Sequence, residues 1–204
     1  MTGTVLKIGG SLLDMPDIVD RILTVADQCS DSELLVVTGG GVAADLVRNF
    51  DDRFGMSDEL AHELAIQAMS LNARLLAAVH SRFVLTRSWA TSESVGGTVR
   101  IVEPVQLLEK LSVPSSAALP SSWCVTSDSI AAWIAQETKA RRLILAKSTG
   151  LPESGDQVVD RPTRLAEMVT LGLVDNYLPE VAHSIEQIDW VNLRDHNPVI
   201  RSLW

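Results

Sequence analysis

Cysteine is nearly absent from this chain. Only Cys29 and Cys124 occur, too few for a disulfide framework and without metal-ligand spacing, so both read as reduced, packed thiols of a cytoplasmic protein. Basic residues are also scarce: 17 Lys and Arg stand against 26 Asp and Glu, a net charge of −9. That balance excludes the basic footprint of a non-specific nucleic-acid binder. It leaves a phosphate ligand open, because Mg2+ and a few placed cations reverse the field locally. No apolar run reaches membrane-spanning length, and the N-terminus shows no basic stretch followed by an apolar one and a cleavage site. The expectation is a protein that is neither membrane-bound nor exported. Internal repeats and low-complexity tracts are missing too.

What remains is an ordinary globular composition, 46% hydrophobic and 21% charged, over 204 residues. That length suffices for one sizeable α/β domain, or two small lobes sharing one sheet. Such a domain buries about 70% of its unfolded surface and needs no staples. Ile18, Val19, Ile22, Leu23 and Ala26 recur at helical spacing and predict a helix over 14–29, with Asp14, Pro16 and Asp17 in its first turn. A buried strand is expected at 34–37, a helix at 42–50 and a polar break at 51–57. Ser57 then caps a long helix from 58 to about 80, packed through Leu60, Leu64, Ile66, Ala68, Leu71, Leu75 and Leu76. Strands at 83–86 and, as an edge, 99–102 flank a loop at 88–98, and Glu103-Pro104 opens a helix at 105–111.

The stretch 112–122, rich in Ser, Pro and Ala, is the one linker-like segment. It separates an expected first lobe, 1–111, from a second, 123–204. Beyond it come a strand at 123–126, the turn Ser127-Asp128-Ser129, a helix at 130–138 and a strand at 143–146. A loop at 151–161, a helix at 162–171 and a last strand at 188–193 complete the chain. The βα alternation predicts a three-layer α/β/α sandwich around a mostly parallel sheet.

Four turns carry chemistry: Lys7-Ile8-Gly9-Gly10-Ser11, Gly39-Gly40-Gly41, Ser127-Asp128-Ser129 and Lys147-Ser148-Thr149-Gly150. In a parallel sheet all four lie along the carboxyl edge. Turns without side chains at their apex expose N–H groups, and the helices behind add positive ends. The first turn is not the Walker arrangement, because its lysine precedes the glycines. Together they supply two N–H cradles, two lysines and a carboxylate. Phosphoryl transfer needs that inventory, since its catalysis is mainly positioning plus positive electrostatics. Each turn also has a plainer reading. Lys7 can be a snorkelling lysine, Gly39 to Gly41 a close strand–helix approach, Asp128 a helix N-cap, and Lys147 a solvated strand end. His62 reads as a packed or surface histidine, the five Trp as packing, and Asp195-His196-Asn197 as a polar turn without chemistry.

These motifs in this order, with Thr126-Ser127-Asp128-Ser129-Ile130-Ala131-Ala132 and Leu143-Ile144-Leu145-Ala146-Lys147, resemble the amino acid kinase family. That family includes aspartate, acetylglutamate, carbamate, uridylate and isopentenyl phosphate kinases. The short length, with His62, Ala65-Ile66 and Ala68-Met69 on the long helix, looks most like its small archaeal-type branch. That branch includes a kinase acting on an aminomethylfuran phosphate in methanofuran synthesis. The resemblance implies the family's fold and an ATP- and Mg2+-dependent kinase acting on a small anionic metabolite. Lys7 would neutralise the transferred group and Asp128 would orient the lysines. Gly9, Gly10 and Ser11 would cradle the donor phosphates, and Lys147, Thr149 and Gly150 would border the nucleotide. Gly39, Gly40 and Gly41 would face the acceptor, and Asp160-Arg161-Pro162 resembles the family's loop beside the adenosine. No metal ligand is implied, and a homodimer is.

The sequence departs from the family in two places. Lys147-Ser148-Thr149 replaces the acidic pair that many members carry before the glycine. The late glycine-rich segment with a second lysine, and the final Gly-Thr strand, are not recognisable, so a second positive charge falls to Lys147 or Arg164. A kinase with a shortened nucleotide lobe and a non-catalytic nucleotide or metabolite sensor of the same fold both stay open.

Overall fold

Five-residue apolar runs bounded by glycine turns build the centre of the structure. This computed structural model describes residues 3–29, 33–88, 97–112, 119–152 and 160–204. Strands β1 (Thr4–Ile8) and β2 (Leu34–Thr38) are buried at every position, as strands covered on both faces must be. With β3 (Phe83–Thr86), β4 (Val99–Val102), β5 (Arg142–Lys147), β6 (Gln187–Asn192) and β7 (Arg201–Ser202) they form one sheet in the order β3-β4-β2-β1-β5-β6-β7. All pairings are parallel except β6–β7. The helices are α1 (Ile18–Gln28), α2 (Gly41–Phe54), α3 (Asp58–Ala78), α4 (Pro104–Ser112), α5 (Ser127–Glu137), α6 (Arg161–Thr170) and α7 (Leu178–Ala182).

Strand alternation sorts the core into two layers, giving the three-layer α/β/α sandwich. Val5, Val37, Leu143 and Leu145 pack with residues of α5, α6 and α7. Leu6, Ile8, Val36 and Ile144 pack with α1 on the other face. Lys7 lies between Leu6 and Ile8, so it shares the α5 face, and its backbone is paired with Val37 on one side and Leu145 on the other. The most central strand therefore delivers a buried lysine to the carboxyl edge.

Several expectations are corrected. Strand 99–102 is not an edge: β4 pairs with both β2 and β3. Helix α2 runs through the expected break to Phe54 and stops at Gly55, whose φ of 66° lets the chain leave the helix left-handed. Residues 123–126 form no strand; Trp123 is instead anchored on α2, donating its indole N–H to Asp51 at 2.6 Å. The leucine stripe of α3 is inverted in part. Leu60, Leu71 and Leu75 are exposed, while Ala61, His62, Ala68, Met69, Ala73 and Leu76 are buried, because the small-residue side allows close packing on α2 and the sheet. Cys29 is buried as expected, but Cys124 is exposed. Helix α7 and strand β7 were too short to give a periodic signal. Most of the expected loop at 88–98, the centre of the linker at 112–122, and most of the loop at 151–161 lie outside the described residues.

The first two glycine turns touch. A Cβ on Gly10 would stand 2.2 Å from the Gly41 nitrogen and 2.5 Å from its Cα, and one on Gly39 would stand 2.6 Å from the Gly10 nitrogen. Gly41 has φ +49° and faces the Gly10 carbonyl oxygen. Asn72 of α3 clamps the second turn by donating to the carbonyls of Gly39 and Gly40, both at 2.8 Å. Close backbone approach alone therefore demands glycine at these positions. Gly10→Ala should destabilise the fold by about 1–3 kcal/mol, because two backbones would have to separate. Gly150→Ala, with nothing within 4 Å of the added Cβ, should change stability by about 0.5 kcal/mol or less. Denaturant melts of the two variants measure the contrast.

Candidate functional site

The site grows from the start of α5. Its N-cap residue, Thr126, makes no side-chain cap. The capping is done from elsewhere: Asp175, after α6, accepts from the backbone N–H groups of Thr126 and Ser129, each at 3.0 Å, and from the Thr126 hydroxyl at 2.7 Å. Asp128 is thereby freed from the N-cap role open to it in sequence. Its buried carboxylate is ion-paired on both sides, with Lys7 Nζ at 2.9 Å and Lys147 Nζ at 2.7 Å. Lys147 also donates to the Leu173 carbonyl at 2.6 Å and lies 5.6 Å from the centre of the Trp190 ring.

The electrostatics follow from this burial. Desolvation pushes the Asp128 carboxyl up, but the two ammonium groups outweigh it and bring it down to about 2. Lys147 falls to about 8, chiefly through burial and then through repulsion from Lys7, against the opposing pull of Asp128 and Asp175. Below pH 8 the Lys7–Asp128–Lys147 chain carries one net positive charge. Two buried cations sharing one carboxylate leave unspent attraction for an anion.

That chain forms part of the wall of a cavity of about 710 Å³. Lys7, Gly10, Ser11, Gly40, Gly41, Asp128 and Lys147 all line it, so most of the sequence-predicted residues come together. The first N–H groups of α2, at Gly41 to Ala43, lie in the same wall, and Gly40 has no side chain to cap them. Gly9 and Gly39 sit just behind, donating their N–H groups to Ala146 and Ile8. Thr149 and Gly150 do not line this cavity; the Thr149 carbonyl accepts the Trp190 indole N–H at 2.9 Å. Arg164 does not line it either. It is buried against Glu167 and the Pro152 carbonyl, so Lys147 is the second cation of this cavity floor.

Part of the cavity lining is apolar, made by Ala65, Ile66, Met69, Val125 and Ile130. His62 stands among them, pushed below its ordinary value by burial and bonded to the Ser122 backbone. Arg48 lies over the Trp123 ring, 4.7 Å from its centre, and pairs with Asp45 at 2.8 Å. Among the described residues no group of three or more acidic, histidine or cysteine side chains is placed to hold a metal ion. The reading from sequence missed Asp175. Its local signature is a turn before Leu178-Pro179, where it accepts from the Tyr177 and Leu178 N–H groups. Nothing local shows that it also reaches α5.

The profile of the amino acid kinase family matches residues 3–151, and the chain belongs to that family. A curated relative, the [5-(aminomethyl)furan-3-yl]methyl phosphate kinase of Methanocaldococcus jannaschii, is 27% identical over 143 residues, which are 70% of this chain and 64% of that protein. The match thus spans just under two thirds of the relative's length. Among solved structures, the uridylate kinase of Archaeoglobus fulgidus superposes with a TM-score of 0.60 at 20% identity, over 93% of this chain and 89% of that one. The UMP kinase of Ureaplasma parvum gives 0.61 at 16% identity, over 97% and 92%. These two likenesses establish the fold.

Proton loss from Lys147 should set the pH dependence. As pH rises through about 8 the cluster loses its net positive charge, so affinity for an inorganic triphosphate probe should fall between pH 7 and 9. Stability should not fall with it. An unfolded lysine still holds its proton in that window, so this group makes the fold more stable as pH rises. Asp128 acts in acid: its contribution is complete above about pH 4 and is lost as pH drops toward 2. Calorimetric titrations and melting curves over the same pH series check both signs.

Proposed function

We propose that this protein is an ATP-dependent kinase that transfers the γ-phosphoryl group to a small anionic metabolite. The carrying observation is the buried Lys7–Asp128–Lys147 chain, which opens into a cavity bordered by two N–H-rich turns. Residues 1–111 serve as the acceptor lobe and 123–204 as a shortened nucleotide lobe. Gly10 and Ser11 cradle the donor phosphates, with Gly9 supporting them from behind the wall; Lys147 stands on the nucleotide side, and Thr149 and Gly150 follow it outside the cavity. Gly39, Gly40 and Gly41 present the start of α2 to the acceptor. Magnesium would arrive with ATP and would offset the charge of its phosphates.

In this reading an oxygen of the acceptor attacks the γ-phosphorus, the bond to the bridging oxygen breaks, and ADP leaves with that electron pair. Lys7 meets the charge on the moving group. Asp128 holds both ammonium groups in place before the charge develops, so little reorganisation is needed at the moment of transfer. The apolar part of the lining fits an acceptor with a compact ring or hydrocarbon body beside its anionic group. The aminomethylfuran phosphate named for the archaeal relative carries a compact ring, with an aminomethyl group beside it, and is the first acceptor to test. A non-catalytic binder of the same fold is the second reading, favoured by Thr149 and Gly150 standing off the cavity wall.

The outer faces of α2 and α3 suit a homodimer. Val42, Leu46, Phe50 and Phe54 on one helix, and Leu60, Leu71 and Leu75 on the other, are between 46% and 83% exposed. The two helices pack against each other, so these exposed apolar side chains lie on adjoining elements. Sedimentation should show a dimer that Leu46→Glu combined with Leu71→Glu reduces to monomers.

Labelled γ-phosphate should pass from ATP–Mg2+ to a phosphorylated or carboxylated acceptor. Lys7→Met, which keeps the side-chain volume, should lower turnover by roughly a hundredfold or more. Turnover within a few-fold of wild type would remove the mechanism. Stabilisation by ATP–Mg2+ of about 2.7 kcal/mol at a hundred times Kd, with no transfer to any acceptor, would favour the non-catalytic reading.

A further inference from the structure

The turn that follows α6 does two separate things for the site, and neither is visible in the residues that line the cavity. Gly172, at φ +66°, closes α6 and lets the chain reverse. One residue on, the Leu173 carbonyl accepts from Lys147 Nζ at 2.6 Å. Two residues further, Asp175 turns its carboxylate onto α5. One oxygen accepts from Thr126 N, Thr126 Oγ1 and Ser129 N; the other accepts from Ser129 Oγ, Tyr177 N at 3.1 Å and Leu178 N at 2.9 Å. This carboxylate thus fixes the first turn of the helix that carries Asp128, from a position 46 residues beyond Ser129 along the chain.

We propose that Asp175 is the positioning residue of this site: it fixes the start of α5 so that Asp128 faces both lysines, while the Leu173 carbonyl of the same turn holds Lys147 against Asp128. The proposal rests on the kinase reading for its purpose, though not for its geometry. The charged groups facing Lys147 are Lys7, Asp128 and Asp175, with the Trp190 ring beside them. Of these, Lys7 opposes the protonated form and the two carboxylates favour it. An ordinary capping aspartate would matter only to the stability of α5. Asp175 differs because the turn it anchors onto α5 also holds a lysine of the cavity wall, through the Leu173 carbonyl.

Two variants separate these roles. Asp175→Asn removes the charge and keeps one oxygen for the Thr126 and Ser129 N–H groups, giving up the bonds from the Tyr177 and Leu178 N–H groups, and Asp175→Ala removes every one of these bonds. Lys147 is followed by NMR of 15N-lysine-labelled protein across a pH titration, with Lys147→Arg assigning the resonance. In Asp175→Asn the fold should persist by circular dichroism while the proton affinity of Lys147 falls by roughly threefold or more. The alkaline limb of triphosphate binding should move to lower pH by the same factor. Asp175→Ala should show the same displacement together with a lower melting temperature. A Lys147 midpoint in Asp175→Asn that matches wild type would overturn the proposal, because a purely structural cap predicts that result. The titration needs neither ATP nor acceptor, so a displaced midpoint in a protein that transfers no phosphate would sink the kinase reading and leave the positioning role standing.

Discussion

One carboxylate between two ammonium groups organises this molecule. Asp128 is buried, and a buried carboxylate is tolerated only where partners replace its lost hydration. Lys7 comes from the central strand, Lys147 from its neighbour, and Asp128 from the helix packed across both. The three groups therefore tie β1, β5 and α5 at one point on the carboxyl edge of the sheet. Burial that would be costly for any one of them is sustained because each charge offsets another. The surplus is a single positive charge in a cavity, which is the electrostatic condition for receiving a phosphate.

The glycine turns play a mechanical part before any ligand part. Gly10 meets Gly39 and Gly41 at distances that admit no Cβ, so the turns after β1 and β2 interlock, and Asn72 holds the second of them from α3. That close approach brings the start of α2 up to Lys7. The same glycines strip side chains from the cavity wall and leave backbone N–H groups there. Packing and anion recognition thus draw on the same residues, and the structural and functional readings of these glycines are compatible rather than competing.

How much could be read in advance depended on the range of the interactions involved. Lys7, the two glycine turns and Lys147 lie at the ends of buried apolar runs, so their common edge followed from the rule for parallel sheets. Asp128 was ambiguous, because capping and ion pairing use the same residue type at the same place. What resolves it is Asp175, which takes over the cap from a turn whose sequence reports only its own local bonds. The α3 stripe failed for a related reason: Leu60, Leu71 and Leu75 satisfy a helical period, yet the small-residue side of that helix is the one that meets α2 and the sheet. Trp123 was read within a strand, but its indole N–H and ring find Asp51 and Arg48 on α2.

By itself the sequence determined the βα alternation, the parallel sheet, the family, and the glycine turns and lysines that the cavity draws on, of which Gly10, Gly40, Gly41, Lys7 and Lys147 line it. These depend on periodicity and turn chemistry, which act between near neighbours along the chain. Tertiary structure alone decided that β4 is interior, that Lys147 rather than Arg164 joins Lys7 at the cavity, and that Asp128 spends both oxygens on lysines while Asp175 caps its helix. Those outcomes are set by which charged groups meet when distant segments pack, and Coulomb attraction and desolvation depend on distance through space, not on separation in sequence.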